Sequence, residues 1–358
     1  MILIDRTIPL LAELLTPLDE VRTFDHHRLD RELLVQMHCR ALFIRSTVRI
    51  TRSLLDGTAV RFIGSVTSGS DHIASDIVGD PRYVVALAGG ANANAVAEYV
   101  LASVLLWCSR EGVAPEEQTI GIVGFGNIGR RVAEYMHRLG LRIVVSDPPL
   151  QDAGFAFPSY VGVATLDEVL DGSTILTNHV PLVLSGPYPT HGLLDARRLH
   201  RSAARLIVHT SRGGIVTERG LLDALRRGVA VAVDVWEHEP NVSPALARRA
   251  LVATPHIAGH SVNAKLHASV LVAQQYYAFC GATFVRPSLD LPPRRLLTGR
   301  IAPHTVLDEL LRARQFDRDT DQLRRIVRLP PSERCLAIEH FRATYPARTE
   351  VFRTSYDD

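Results

Sequence analysis

Residues 119–147, "TIGIVGFGNIGRRVAEYMHRLGLRIVVSD", constrain the fold more than any other part of the chain. An apolar strand runs into Gly124, Gly126 and Gly129, an amphipathic helix follows, and a second strand ends at Asp147. Three glycines at this spacing mean little alone, but strand, glycines, helix, strand and terminal acid in one unit point to a dinucleotide-binding turn. The first glycine permits a tight turn, the second lets backbone approach a pyrophosphate, and the third lets helix pack on strand. The helix start, Asn127 and Ile128, would then offer unpaired N–H groups to the anion. Asp147 would accept hydrogen bonds from ribose hydroxyls and repel a 2′-phosphate, which favours NAD over NADP.

On either side, short β-branched runs alternate with helical patterns. "ILI", "ALFIR", "VRFIGS" and "YVVAL" read as strands of a parallel α/β sheet over residues 1 to about 90, and a long helix is expected from Asn92 to about Arg110. The alternation restarts at Thr119 with "TIGIVG", "LRIVVSD", "STILTNHV", "RLIVHTS" and "VAVAVDVW". A second long helix is expected from Val262 to Phe279, after which "RPSLDLPPRRLLTGR" marks a shift in composition. With 358 residues, 46% of them apolar, the chain is long enough for about two domains.

A formal net charge of +2 without long runs of one sign argues against a nucleic-acid or membrane-surface partner, so a small molecule is expected. Cys39, Cys108, Cys280 and Cys335 lie far apart with no CxxC, which fits a reducing cytoplasm and speaks against a zinc knuckle. "MILIDRTIPLL" meets Asp5 and Arg6 too early for a signal peptide, and "AVAEYVLASVLLWC" is broken by Glu98 and falls short of the ~20 residues of a bilayer span. Lys265 is the only lysine, so Schiff-base and Walker-type chemistry have a single candidate and no motif around it.

Three stretches carry polar groups just past apolar strands: "RLIVHTSRGG" with Arg212, "VAVAVDVWEHEP" with Asp234, Glu237 and Glu239, and "LVATPHIAG" with His256. In an open parallel sheet, ligands bind outside the carboxyl ends of strands, so the three should face one crevice. Hydride chemistry on a 2-hydroxy acid needs a guanidinium for the carboxylate, an imidazole for the hydroxyl proton and a carboxylate to orient that imidazole. Arg212, His256 and Glu239 supply one of each. His256 and His260 are four apart, but Pro255 and Gly259 disfavour a helix between them, and no HExxH acid accompanies them, so no metal site is expected.

Taken together, "GFGNIGRR", "SRGGIVTERGLLDAL", "DVWEHEP" and "PHIAG" resemble the D-isomer-specific 2-hydroxyacid dehydrogenases. "IRSTVRITRSLLDG", "VTSGSDHI", "NANAVAEYVLASVL", "SDPPL" and "SGPYPTHGL" narrow the resemblance to the family that oxidises 4-phospho-D-erythronate to 2-oxo-3-hydroxy-4-phosphobutanoate in vitamin B6 biosynthesis. The resemblance implies an α/β fold of two Rossmann-like or flavodoxin-like doubly wound parallel-sheet domains with a small C-terminal α+β dimerisation module. The expected parts are a substrate domain (1–91 and 260–286), an NAD-binding domain (92–259) and the module (287–358), in a cytoplasmic homodimer.

It also implies that Arg212 binds and polarises the substrate, Glu239 pairs with the histidine and His256 exchanges the proton. Asp147, Val180, Pro181, Thr210, Ser211, Asp234 and Gly259 would meet NAD, and Ser46, Thr67 and His260 the substrate. Arg45 and Arg49 are candidates for a substrate phosphate. The chain departs from the family at His260, usually tyrosine, at Val180, usually threonine, and at "GGAN", usually Pro-Gly-Cys-Asn. These changes keep the dehydrogenase chemistry and leave open a different D-2-hydroxy or 2-keto acid, with a non-catalytic NAD-sensing corepressor as a third reading.

Overall fold

The strand patterns resolve into two parallel sheets in a computed structural model that describes residues 1–297 and 302–357. Residues 298–301 and 358 of the expected C-terminal module lie outside the described residues. The chain divides into two compact units, one of residues 1–92 with 261–292 and the other of residues 93–260 with 293–358.

The first unit holds β1 (Ile2–Asp5), β2 (Val21–Phe24), β3 (Ala41–Ile44), β4 (Phe62–Ser65) and β5 (Val84–Leu87) in the order β2-β1-β3-β4-β5, the flavodoxin-like order. Every residue of β1, β3 and β4 is buried, because helices cover both faces, and these strands therefore read as unbroken apolar runs. β2 is an edge strand with exposed Arg22 and Thr23, and its four residues carry no such signal. The helix Val262–Phe279 is capped by Ser261, whose hydroxyl accepts from the Ala264 N–H. It closes the unit by setting Tyr276 edge-on to Phe43 and Phe62.

The second unit contains β6 (Thr119–Val123), β7 (Arg142–Ser146), β8 (Val161–Val163), β9 (Ile175–Asn178), β10 (Leu206–His209), β11 (Ala230–Val233) and β12 (Val252–Ala253). Their order, β12-β11-β10-β9-β6-β7-β8, reverses direction between β6 and β9, which opens a crevice at the carboxyl ends of those strands. β8 is a second element that sequence pattern does not reveal, since two of its three residues are exposed.

The helix Ala93–Glu111 is buried from Ala93 to Cys108, so it is apolar on all sides rather than striped. Glu98 is the one charge in this buried stretch, and it is fully buried. One of its oxygens accepts the Val351 and Phe352 N–H groups at 2.6 and 2.7 Å, and the other faces the Arg314 guanidinium at 3.3 Å. Arg314 also donates to the Ala95 carbonyl.

This network ties down the C-terminal segment, in which β13 (Arg295–Leu296) and β14 (Phe352–Arg353) pair in parallel beside the helices Pro303–Arg314, Phe316–Ile326 and Pro331–Ala343. Leu297, Val306, Leu310, Phe316 and Phe352 share one hydrophobic core with Leu101 and Leu105, while Leu323, Ile326 and Ile338 share another with Trp236 and Leu246. Among the described residues, no helix is long and apolar enough to cross a membrane.

Burial pushes the Glu98 carboxyl up and the Arg314 guanidinium down, to about 10, so each depends on the other and on the amides around them. Removing one partner strands the other. Arg314→Met is therefore expected to cost about 3–5 kcal/mol in urea denaturation of the full chain, and an unchanged midpoint would show that the pair carries no such load.

Candidate active site

At the end of β6 the chain turns through Gly124 at φ +94°, a left-handed conformation that excludes most side chains. A Cβ on Gly124 would also lie 2.7 Å from Val180 Cγ1, which places Val180 directly beside the turn. Gly126 opens onto free space, as the approach of a pyrophosphate requires. Gly129 is the close contact: a Cβ there would stand 2.1 Å from the Gly124 carbonyl oxygen. The helix Asn127–Arg138 thus begins against the turn, with Asn127 and Ile128 at its N-terminus.

Asp147 ends the next strand and is half-buried. One oxygen accepts the Phe125 N–H at 2.7 Å, and the other caps the helix Pro148–Asp152 by accepting the Leu150 N–H at 3.0 Å. Each oxygen keeps a second lone pair, so the carboxylate can hold the glycine turn and still accept from a ribose.

Asp234 follows β11 and is 1% exposed. Its Oδ1 accepts from the Thr254 hydroxyl at 2.6 Å and the Ile257 N–H at 2.8 Å, and its Oδ2 accepts the Ala258 N–H at 2.9 Å. The His256 N–H donates to the Asp234 carbonyl at 2.7 Å. One residue therefore holds a loop in which His256 sits at φ +61°, outside any helix. Gly259 lies in the turn that follows, closed by the His260 N–H donating to the Ile257 carbonyl at 2.9 Å.

That loop presents His256 Nδ1 to Glu239 Oε2 at 2.8 Å, both side chains being partly exposed. Glu239 Oε1 accepts the Trp236 N–H at 3.0 Å. Burial alone would push the Glu239 carboxyl up, but His256, the Trp236 amide and Arg342 outweigh it and hold the group below its ordinary value. A carboxylate acceptor fixes the tautomer: Nδ1 carries the hydrogen, and Nε2 is left as the proton acceptor.

The loop after β10 carries Thr210, Ser211 and Arg212. Ser211 donates to Asn178 Oδ1, whose amide nitrogen in turn faces His209 Nδ1 at 3.2 Å. Arg212 donates to the Ser211 carbonyl at 2.8 Å. The Thr210 hydroxyl is buried and finds no partner among the described residues, so it fits a site that a ligand completes. Pro181 is exposed beyond β9, and its carbonyl accepts from Thr190. Glu237 accepts the Glu218 N–H instead of joining the His256 pair.

In the first unit, Thr67 is half-buried and bonded to Ser65 at 2.8 Å and to the Gly69 carbonyl at 2.9 Å. Ser46 is exposed, Arg45 donates to the Thr7 hydroxyl at 3.1 Å, and Arg49 is exposed.

Three C-terminal groups escaped sequence reasoning. Tyr345 sets its ring edge-on to His260, with centroids 6.1 Å apart, and donates to Asp319 at 2.7 Å. Arg342 stands 3.8 Å from Glu239 Oε2, and Arg348 donates to the Ala258 carbonyl at 2.8 Å. The available signal was Glu98, a charge in an apolar helix that demands a partner from elsewhere in the chain.

Residues 98–258 match the model of the D-isomer specific 2-hydroxyacid dehydrogenase NAD-binding domain. The chain belongs to the D-isomer-specific 2-hydroxyacid dehydrogenases and is an NAD-dependent dehydrogenase. It is similar to the erythronate-4-phosphate dehydrogenases of Salinibacter ruber (40% identical, covering 87% of this chain and 82% of that one) and Stutzerimonas stutzeri (37%, covering 98% and 92%). A D-lactate dehydrogenase from Aquifex aeolicus, complexed with NAD and lactic acid, shares the fold with a TM-score of 0.62 at 21% identity, covering 78% of this chain and 96% of that one.

The Gly129 contact gives a direct test of the cofactor cradle. Gly129→Ala must push the helix off the turn, at about 1–3 kcal/mol, and is expected to weaken NADH binding about ten-fold or more in a fluorescence titration; binding as tight as that of the unchanged chain would place the cofactor elsewhere.

Proposed function

We propose that the chain oxidises 4-phospho-D-erythronate to 2-oxo-3-hydroxy-4-phosphobutanoate with NAD, with His256 as the base. The observation that carries this reading is the 2.8 Å pair of His256 Nδ1 and Glu239 Oε2, held at the end of a dinucleotide-binding sheet. As the hydroxyl proton passes to His256 Nε2, the imidazole becomes cationic and Glu239 stabilises the charge. NAD supplies the hydride acceptor for the substrate C2 hydrogen. Arg212 binds the substrate carboxylate and polarises the developing carbonyl.

Gly124, Gly126, Asn127, Ile128 and Gly129 hold the pyrophosphate in this reading, and Asp147 the ribose. Val180, Pro181, Thr210, Ser211, Asp234 and Gly259 complete the cofactor's surroundings, Asp234 through the loop that it holds rather than by a free carboxylate. Ser46, Thr67 and His260 are the proposed substrate contacts, with Arg45 and Arg49 for the phosphate. The names of the curated relatives support this substrate, and with it a place in pyridoxal phosphate biosynthesis. A cytoplasmic location belongs to the same reading.

One observation favours a second substrate. His260 puts a titratable imidazole against Tyr345, and a changed group at this position suits another D-2-hydroxy acid. A corepressor role is less well supported, since it leaves the His256–Glu239 pair without a task.

Homodimerisation is proposed as well, supported by Leu336, which stands 70% exposed on the helix Pro331–Ala343. Removing the tail cannot test it, because that tail fills the core of the second unit. Light scattering of the whole chain can: the expected mass is twice 39.5 kDa, and 39.5 kDa would exclude the dimer.

For the chemistry, a panel of 2-hydroxy acids with and without phosphate should give the fastest NADH formation with 4-phospho-D-erythronate. Preference for an acid without the phosphate would exclude that substrate. His256→Asn should lower kcat by about 10²–10⁴ with little change in NADH binding, whereas retained turnover would take the proton transfer away from His256.

A further inference from the structure

Glu239 is shared between two cations. Its Oε2, the oxygen that accepts from His256 at 2.8 Å, also faces Arg342 Nη1 at 3.8 Å. Arg342 lies in the last turn of the helix Pro331–Ala343, far in sequence from the loops that carry the pair, and its side chain is 29% exposed. At 3.8 Å the guanidinium is too far for a hydrogen bond yet close enough to act on the carboxylate by charge.

Other groups placed against the pair are committed elsewhere. His209, at the end of β10, is 1% exposed and interacts with both Glu239 and His256; burial pushes its imidazole down to about 3, so it stays neutral at working pH. Asp234 spends its carboxylate on the Thr254 hydroxyl and on the Ile257 and Ala258 amides. The second oxygen of Glu239 is held by the Trp236 amide.

We propose that Arg342 is a positioning residue that divides the charge of Glu239 with His256, so that the C-terminal helix sets how readily His256 gives up its proton. A carboxylate facing only His256 holds the imidazolium strongly, so that the imidazole stays protonated, and occupied as a base, to higher pH. A second cation on the same oxygen weakens that hold, and by its own charge it also disfavours the imidazolium. Both effects have the same sign: Arg342 lowers the pH at which His256 becomes the neutral base that oxidation of a hydroxyl group requires.

This rests on the reading of His256 as the base, and one measurement separates the two. Histidine titration by NMR on the full chain with NADH bound, the His256 signal being assigned by its loss in His256→Asn, requires no turnover. Arg342→Gln is expected to raise the His256 midpoint by about half a pH unit, a modest figure because the arginine is partly exposed. Arg342→Met, which keeps the packing of the stem, should do the same, and Arg342→Lys should restore the original midpoint.

In the assay, the acid limb of kcat/KM with 4-phospho-D-erythronate should move up in parallel, giving about a three-fold loss well below the limb. A midpoint that stays put or falls in both neutral variants overturns the proposal, whatever their thermal stability. Failure of the chain to oxidise any 2-hydroxy acid, with the midpoint still shifted, overturns the function and leaves the tuning intact.

Discussion

The second unit is organised around a buried charge. Glu98 sits at full burial in a helix that is apolar on every side, a position that no carboxylate occupies without compensation. Compensation among the described residues comes from groups more than two hundred positions away, foremost the amides of Val351 and Phe352 and the guanidinium of Arg314. The neighbouring Asn94 extends the link by donating to Glu350 and the Phe352 carbonyl, while its own oxygen accepts from Tyr135. Such a network is of little use as net stabilisation, because an apolar replacement would pack as well. What it contributes is an answer to the buried carboxylate, which a misplaced tail would leave unpaired.

The same docking reaches the loop that carries His256. Arg314 and Arg348 direct guanidinium groups at the Ala258 carbonyl, at 3.5 and 2.8 Å, while Asp234 takes the loop's N–H groups from the other side. A loop of backbone amides and carbonyls at this depth must have each of them answered. The result is a peptide segment gripped by a carboxylate on its donors and by arginines on its acceptors. That grip offsets the strain of a positive φ at His256, a conformation that histidine seldom adopts and one of the ways a fold fixes a side chain's aim.

How much of this was legible in the sequence follows from whether a signal is local. Gly124 and Gly129 could be read because each answers a need within thirty residues, a tight turn and a close approach of helix to strand, whereas the helix cap that Asp147 makes was not anticipated. The buried strands β1, β3, β4 and β6 were visible as apolar runs, whereas β2 and β8 were not, because edge strands with exposed faces look like loops. The long helices fell within a residue of expectation. Arg212, Glu239 and His256 were chosen by the chemistry a 2-hydroxy acid needs, and the geometry joins two of them directly. The contributions of Arg342, Tyr345 and Arg348 were invisible, because long-range electrostatic complementarity leaves no spacing pattern, and a tail of arginines reads as solvated surface until a buried acid is found to demand one.

Asp234 and Glu239 show how one loop system can put two carboxylates to opposite uses. Asp234 is almost sealed from solvent and its oxygens are met by two amides and a hydroxyl, so its charge is spent on shape. Glu239 keeps partial exposure, commits one oxygen to an amide and leaves the other to an imidazole and a guanidinium that compete for it. An acid with saturated acceptors anchors and cannot respond, whereas one with a contested acceptor transmits any change in one cation to the other. The difference is set by which neighbours arrive with N–H groups already fixed by backbone, and it makes the tail of this chain part of the electrostatics of the His256–Glu239 pair as well as of its core.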